Sequence, residues 1–225
     1  MAYWGYFPLM KEFLSGHKYP KVIEVGVDKG QTLIPLLHYM SLQFDNFHLV
    51  GVDINVRTEL NAKLGNMHSN LKPEQTFDMA VASSLQYLPA CVENLKNTPY
   101  EDQGYFNLML IDGDHNYHTV KKEFESIPKL LAPGGMVIFD DYDGRWSNQD
   151  EFFIEREGYA DNEMALSREE GEEETKGVKP AVDEFLAANP DWVMTKHPQF
   201  QNDEPVILFR KNEIGWRHLN EDTDQ

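Results

Sequence analysis

Cysteine is almost absent from this 225-residue sequence. The single one, Cys91, excludes an intramolecular disulfide and suits a reducing compartment. Positive charge is scarce too: 20 Lys and Arg stand against 38 Asp and Glu, for a net charge of -18. Such a chain repels nucleic-acid phosphates and anionic lipid, which argues against a polynucleotide substrate. No apolar run reaches the length of a membrane span, and the first five residues have neither the basic nor the apolar region of a secretion signal. A cytoplasmic protein with no nucleic-acid or membrane partner is expected. There is no internal repeat and no linker-like change of composition, so a single domain over 1–225 is expected.

What is present is a regular alternation. Apolar runs at 22–25, 48–52, 77–81, 106–111 and 136–139, with later ones at 192–195 and 206–209, are separated by amphipathic stretches. That rhythm predicts an α/β fold, a mostly parallel sheet covered by helices. Helices are expected at 32–40, at 117–131 and at 179–188, where Val178, Ala181, Val182, Phe185 and Leu186 make one apolar stripe. Pro128 should kink or shorten the second of these. Pro133-Gly134-Gly135 should turn the chain into the next strand.

One segment breaks the rhythm. Residues 150–174 hold 11 acidic and 2 basic residues, half of the whole net charge. Around it, 143–176 is expected to be an acidic insertion. Its first half carries Trp146, Phe152, Phe153 and Tyr159, suited to walling a pocket, and its second half is almost without apolar residues. The N-terminal aromatics Tyr3, Trp4, Tyr6 and Phe7 suit packing on the core, shaping a pocket or meeting a second subunit in a homo-oligomer.

Four places carry chemistry. The stretch 22–32 ends a strand, makes a turn with Gly26 and Gly30, and opens a helix at Thr32. Glycines allow close backbone approach, and a helix start offers free N–H groups. The spacing lacks the middle glycine of the dinucleotide fingerprint, which disfavours a nicotinamide dehydrogenase. Asp53 ends the next strand, where a carboxylate can accept hydrogen bonds from ribose hydroxyls. Asp112, in the run Ile111-Asp112-Gly113-Asp114-His115-Asn116-Tyr117, follows the fourth strand. Asp140 and Asp141 follow the fifth. Carboxylates at neighbouring strand ends repel one another unless a cation sits between them, and hard cations prefer oxygen donors. Asp114 lies close to a helix start and reads as a capping residue, outside that set. Gly26, Asp53, Asp112 and Asp140 share the carboxyl end of four strands, where ligands bind in open α/β sheets.

These residues resemble class I S-adenosylmethionine-dependent methyltransferases. The match is to the metal-dependent small-molecule O-methyltransferases, such as the catechol and macrolide-sugar (macrocin and mycinamicin type) enzymes. The resemblance covers about 19–143 and resumes at 177–186. It rests on I-D-G-D-H-x-Y at 111–117, L-x-P-G-G at 131–135 and D-D-Y at 140–142. It implies a Rossmann-like sheet of seven strands with helices on both faces. Glu24, Gly26, Gly30, Thr32, Asp53, Ser83, Ser84 and Asp112 would contact S-adenosylmethionine, the two serines on the adenine side. The stretch after those serines is one residue longer than in the catechol enzyme, so that part of the match is looser. Asp112, Asp140 and Asp141 match ligands of Mg2+ or Mn2+. His115 stands where the sugar enzymes have a histidine and the catechol enzyme a lysine, both read as the general base. The implied reaction is methylation of a small-molecule hydroxyl. Two other readings are an oxygenase related to cephalosporin hydroxylase and a non-catalytic cofactor-binding module. The usual oxygenase triad of two histidines and one carboxylate is not matched by a carboxylate set with one histidine.

Overall fold

The computed structural model describes residues 6–144, 147–150, 152–155, 161–162, 176–196 and 205–211. Expectations placed on Tyr3, Trp4, Trp146 and Tyr159, and on 167–175, lie outside the described residues.

Seven strands form one sheet: β1 (Lys21–Val25), β2 (Phe47–Asp53), β3 (Gln75–Val81), β4 (Phe106–Ile111), β5 (Leu131–Phe139), β6 (Trp192–Thr195) and β7 (Val206–Arg210). Their order is β3-β2-β1-β4-β5-β7-β6. The first five run parallel, and β7 lies antiparallel between β5 and β6. The mostly parallel sheet expected from the rhythm of the sequence is found, with the seven strands that the resemblance implied. The order reverses direction between β1 and β4, and this switch point opens toward the carboxyl ends of both strands.

Side chains alternate across the sheet with the period of two that a strand requires. Val22, Leu49, Leu108 and Leu110 enter one core with α1 (Phe7–Ser15), α2 (Leu33–Gln43) and α3 (Thr58–His68). Ile23, Val50, Met109 and Ile111 enter the other, with α4 (Ser84–Leu95), α5 (Tyr117–Glu123), α6 (Ile127–Leu130) and α7 (Val178–Ala188). Both faces of the central strands are covered, which explains why they read as continuous apolar runs.

Two local expectations are corrected. The helix expected over 117–131 is two helices, because the chain turns at Phe124–Ser126 and Pro128 falls in the first turn of α6. A proline there removes no hydrogen bond and its fixed φ suits a helix start. Pro133-Gly134-Gly135 does not precede β5 but lies inside it. Phe106 pairs with Leu131 and Leu108 with Met136, so the sheet absorbs the extra residues as an irregularity, with Gly134 at φ 71. The helices α1, α3 and α4 had no expectation. A short 3-10 turn at Phe153–Glu155 lies within the acidic stretch, where Phe152 is buried. Among the described residues no helix is long and apolar enough to cross a membrane.

Candidate active site

The strand ends are stitched together one residue past the ladder. Gly26 N–H donates to Val52 O at 2.8 Å, Asp112 N–H to Val25 O at 2.8 Å, Asp140 N–H to Ile111 O at 3.0 Å, and Ala82 N–H to Asp53 O at 3.0 Å. These bonds set Gly26, Asp53, Ser83, Asp112 and Asp140 side by side along one edge. Parallel pairing does this once the strands end in register, since each pair carries the next strand's exit to the same level.

Gly26 leaves β1 with φ +85. A Cβ there would lie 1.9 Å from the carbonyl oxygen of Asp112 and 2.7 Å from Cα of Gly113. The glycine is required by the neighbouring strand's exit, which no reading of the turn alone discloses. Gly30, at φ +72, is buried, and a Cβ there would meet the Leu60 side chain at 2.5 Å, so it lets α3 close against the turn. Thr32 is buried at the N-cap position of α2.

Asp53 holds the turn in place. Its Oδ2 accepts from the N–H groups of Val27 and Asp28, both at 2.8 Å, and its Oδ1 accepts from Asn55 N–H at 2.8 Å. A carboxylate offers about four acceptor positions, so three backbone donors leave room for one more. Asp28, at φ 44, carries an ion pair with Arg57 at 2.8 Å. Glu24 is buried on β1, and its Oε2 has no hydrogen-bond partner among the described residues. Burial, and then the charge of Asp53, pushes its carboxyl well above the ordinary carboxylate range. Ser83 is the N-cap residue of α4, and Ser84 is buried beside it.

On the other side of the switch point the groups are side-chain carboxyls. Asp140 is 4% exposed, and Asp112 lies in hydrogen-bond contact with it. Burial raises the affinity of Asp112 for its proton, and the adjacent Asp140 charge raises it further. Burial raises Asp140 as well, while the hydrogen bond from Asp112 works the other way. As charged groups the two carboxyls repel one another, so their contact favours the protonated form at one of them. His115 sits between Asp112 and Asp141, with Nε2 3.6 Å from Asp112 Oδ1 and Nδ1 3.6 Å from Asp141 Oδ2. Asp141 has a left-handed backbone, φ 54. Asp114 is turned inward, accepting from Asn116 Nδ2 at 2.6 Å and Thr119 Oγ1 at 2.7 Å, and burial lifts its carboxyl to about 6.

Asp112, Asp140, Asp141 and His115 thus gather at one end of the sheet. Among the described residues no group of three or more His, Cys, Asp and Glu side chains stands ready to hold a metal. Asp112 and Asp140 meet each other, and Asp141 faces His115. In kind the donors fit a hard divalent cation: carboxylate oxygens, with the buried Asp140 in contact with the part-buried Asp112. Sequence reasoning passed over the side chains of Tyr117 and Tyr142 and their partners Glu184 and Asp183 on α7, which join this end of the sheet to that helix. Glu123 also escaped notice: it is 1% exposed on α5, with Ser84 of α4 beside its carboxyl.

Known proteins match this chain in two ways. A family model described as "Methyltransferase domain" matches residues 23–142. An uncharacterised protein of Acanthamoeba polyphaga mimivirus is 27% identical over 135 residues, 56% of this chain and 54% of that protein. The chain therefore spans about half the length of the curated relative it matches. Among solved structures, a TDP-rhamnose 3'-O-methyltransferase of calicheamicin biosynthesis superposes with a TM-score of 0.57 at 16% identity, over 92% of this chain and 76% of that one. The MycE methyltransferase of the mycinamycin pathway, solved with Mg, SAH and mycinamycin VI, superposes with a TM-score of 0.52 at 14% identity, over 91% of this chain and 49% of that one. At such identities the likeness is one of fold.

Proposed function

The chain belongs to the methyltransferase-domain family, and we propose that it transfers the methyl group of S-adenosylmethionine to a hydroxyl oxygen of a small molecule. In this reading Glu24, Gly26, Gly30, Thr32, Asp53, Ser83, Ser84 and Asp112 contact the methyl donor. Asp112, Asp140 and Asp141 hold Mg2+ or Mn2+, and His115 is the base. The observation that carries it is the stitched edge, which brings the glycine turn and the paired carboxyls of Asp112 and Asp140 to adjacent strand ends. The net charge of -18 supports a small acceptor over a nucleic acid. The magnesium and SAH named with MycE support the same pair of ligands here.

When bound, S-adenosylmethionine supplies an already activated methyl group and a divalent cation supplies charge that makes an acceptor hydroxyl more acidic. The chain's own share is position and proton transfer. Asp53 fixes the glycine turn and keeps one acceptor position for a ribose hydroxyl. Asp112 spans both halves, through its backbone against Gly26 and its carboxyl against Asp140. His115 takes the hydroxyl proton, as imidazole can near neutral pH, and its two carboxylate neighbours stabilise the imidazolium that results.

Calorimetric titration with S-adenosylhomocysteine and with NAD tests the cofactor: binding of the first and none of the second is expected. A screen of hydroxylated acceptors with S-adenosylmethionine and Mg2+ then tests the reaction. EDTA should stop turnover and excess Mg2+ or Mn2+ restore it. Full activity of a demetallated sample defeats the metal part of the proposal and leaves the methyl transfer standing.

A further inference from the structure

The tyrosines of the two motifs that carry the proposed metal ligands end on consecutive residues of α7. The Tyr142 hydroxyl donates to Asp183 Oδ1 at 2.5 Å and accepts from Lys179 Nζ at 2.8 Å. Lys179 also bonds Asp183 Oδ2 at 2.7 Å and stands 4.5 Å from the Tyr142 ring centroid. The Tyr117 hydroxyl lies 2.7 and 2.6 Å from the two carboxylate oxygens of Glu184, and Lys121 Nζ donates to both that hydroxyl, at 2.9 Å, and Glu184, at 3.0 Å. A third tie comes from Asp150, whose Oδ1 accepts from Tyr117 N–H at 2.9 Å and Gly177 N–H at 2.8 Å. It joins the start of α5 to the residue before α7.

The two tyrosine ties differ in depth and in what they hold. Tyr142 is 3% exposed and follows Asp141 directly. The left-handed backbone of Asp141 is uncommon for an L-residue, though aspartate adopts it more readily than most, and its surroundings help to hold it. On one side Asp140 is bonded into the sheet through Ile111 O. On the other, Tyr142 is anchored to α7. Asp141 lies between two fixed points, with its carboxylate toward His115. Tyr117 has no such neighbour, and its tie to Glu184 is open to solvent.

We infer that Tyr142, held by Asp183 and Lys179, is a positioning residue for the proposed cation site: it keeps Asp141 in the backbone conformation that turns its carboxylate toward His115. This deepens the cation-assisted reading above and rests on it. The hydroxyl acts through the loop, and the ring itself stays packed when the hydroxyl is removed.

Mn2+ binding to the full chain, followed by electron paramagnetic resonance in the presence of S-adenosylhomocysteine, tests the inference. Loss of a group that orients a metal ligand weakens metal binding by about 10–100-fold. Tyr142→Phe and Asp183→Asn are each expected to weaken Mn2+ binding about tenfold, with S-adenosylhomocysteine affinity within about twofold of the parent, which also shows that the variants fold. The double variant should be no weaker than either single one, because both remove the same tie. Tyr117→Phe should leave Mn2+ affinity within about twofold, since an exposed tie contributes little. If the parent chain binds Mn2+ and both variants match it, the positioning role of Tyr142 is overturned while the cation reading stands. If the parent chain binds no Mn2+, the cation reading fails and takes this inference with it.

Discussion

The two halves of the sheet's carboxyl edge are built from different materials. On the β1–β2 side the shape is made by backbone. Gly26 and Gly30 take left-handed conformations, and one carboxylate, Asp53, gathers three N–H groups. On the β4–β5 side the shape is made by side-chain charge, with Asp112 against Asp140 and His115 between Asp112 and Asp141. In the first half the Asp53 carboxylate is met by backbone N–H donors. The second stores repulsion that a bound cation would relieve. A site of this kind holds one ligand by fitted backbone and the other by unbalanced charge, so damage to the halves should look different.

The sharpest test is Asp140→Asn. It removes a buried carboxyl that repels its neighbour Asp112 and leaves the shape. Turnover should fall by about a thousandfold or more, roughly 4 kcal/mol of transition-state stabilisation. Thermal stability of the cation-free chain should stay level or rise, because a repulsion is gone. A variant that loses activity only by unfolding would erase the contrast between the halves. Gly26→Ala attacks the other half and should do the opposite. Its Cβ would overlap the Asp112 carbonyl at 1.9 Å in a backbone conformation alanine resists. Strain and overpacking together predict a loss of about 3–4 kcal/mol in denaturant unfolding. A stable Gly26→Ala chain would show that the stitched edge yields more readily than these contacts imply.

Much of this edge was legible beforehand, for a physical reason. Buried parallel strands read as apolar runs, and residues just past such runs must emerge at one edge, so Gly26, Asp53, Asp112 and Asp140 could be grouped without coordinates. What stayed hidden depends on contacts between distant residues. That Gly26 answers to the backbone of Asp112 is a fact about two strands, and the turn sequence carries no trace of it. The ties of Tyr117 to Glu184 and of Tyr142 to Asp183 cross 67 and 41 residues. Helix α4 is hard to read because Pro89 lies inside it, and a proline normally argues against a helix interior. The break between α5 and α6 is equally hard to place, because Pro128 can end one helix or begin another, and local sequence does not choose.

Glu123 extends the comparison to the layer beneath the charged half. It is fully buried on α5, and that burial lifts its carboxyl to about 8, against the lowering effect of Ser84 on α4 and with a smaller push from the charge of Asp114. The folded-state value lies above the unfolded one of 4.5. Its contribution to stability is therefore fully present below pH 4.5 and is lost progressively as pH rises toward 8, where the folded chain must ionise a buried acid. Glu123→Gln removes that loss. Between pH 5 and pH 8 the variant should gain on the parent by about 3 kcal/mol in denaturant unfolding. Parallel stability curves for the two chains across that window would mean that Glu123 is solvated or paired.

Asp53→Asn completes the set with the smallest effect, and it separates fitted backbone from charge most cleanly. The substitution keeps size and planarity but turns one acceptor into a donor. The oxygen that receives both Val27 and Asp28 N–H groups at 2.8 Å cannot be replaced by an amide nitrogen without repelling them. If the amide flips to offer its oxygen there, its nitrogen faces Asn55 N–H instead. Either way at least one charge-assisted bond is lost and a donor meets a donor, for about 2 kcal/mol of stability. The same change removes the acceptor position left for a ribose hydroxyl, so S-adenosylhomocysteine should bind about tenfold more weakly. Mn2+ affinity should not move, since Asp53 spends its carboxylate on Val27, Asp28 and Asn55 and not on the loops that carry Asp112, Asp140 and Asp141. A variant that lost both ligands together would show that the two halves are one continuous structure, and that backbone fit and stored charge do not divide between them.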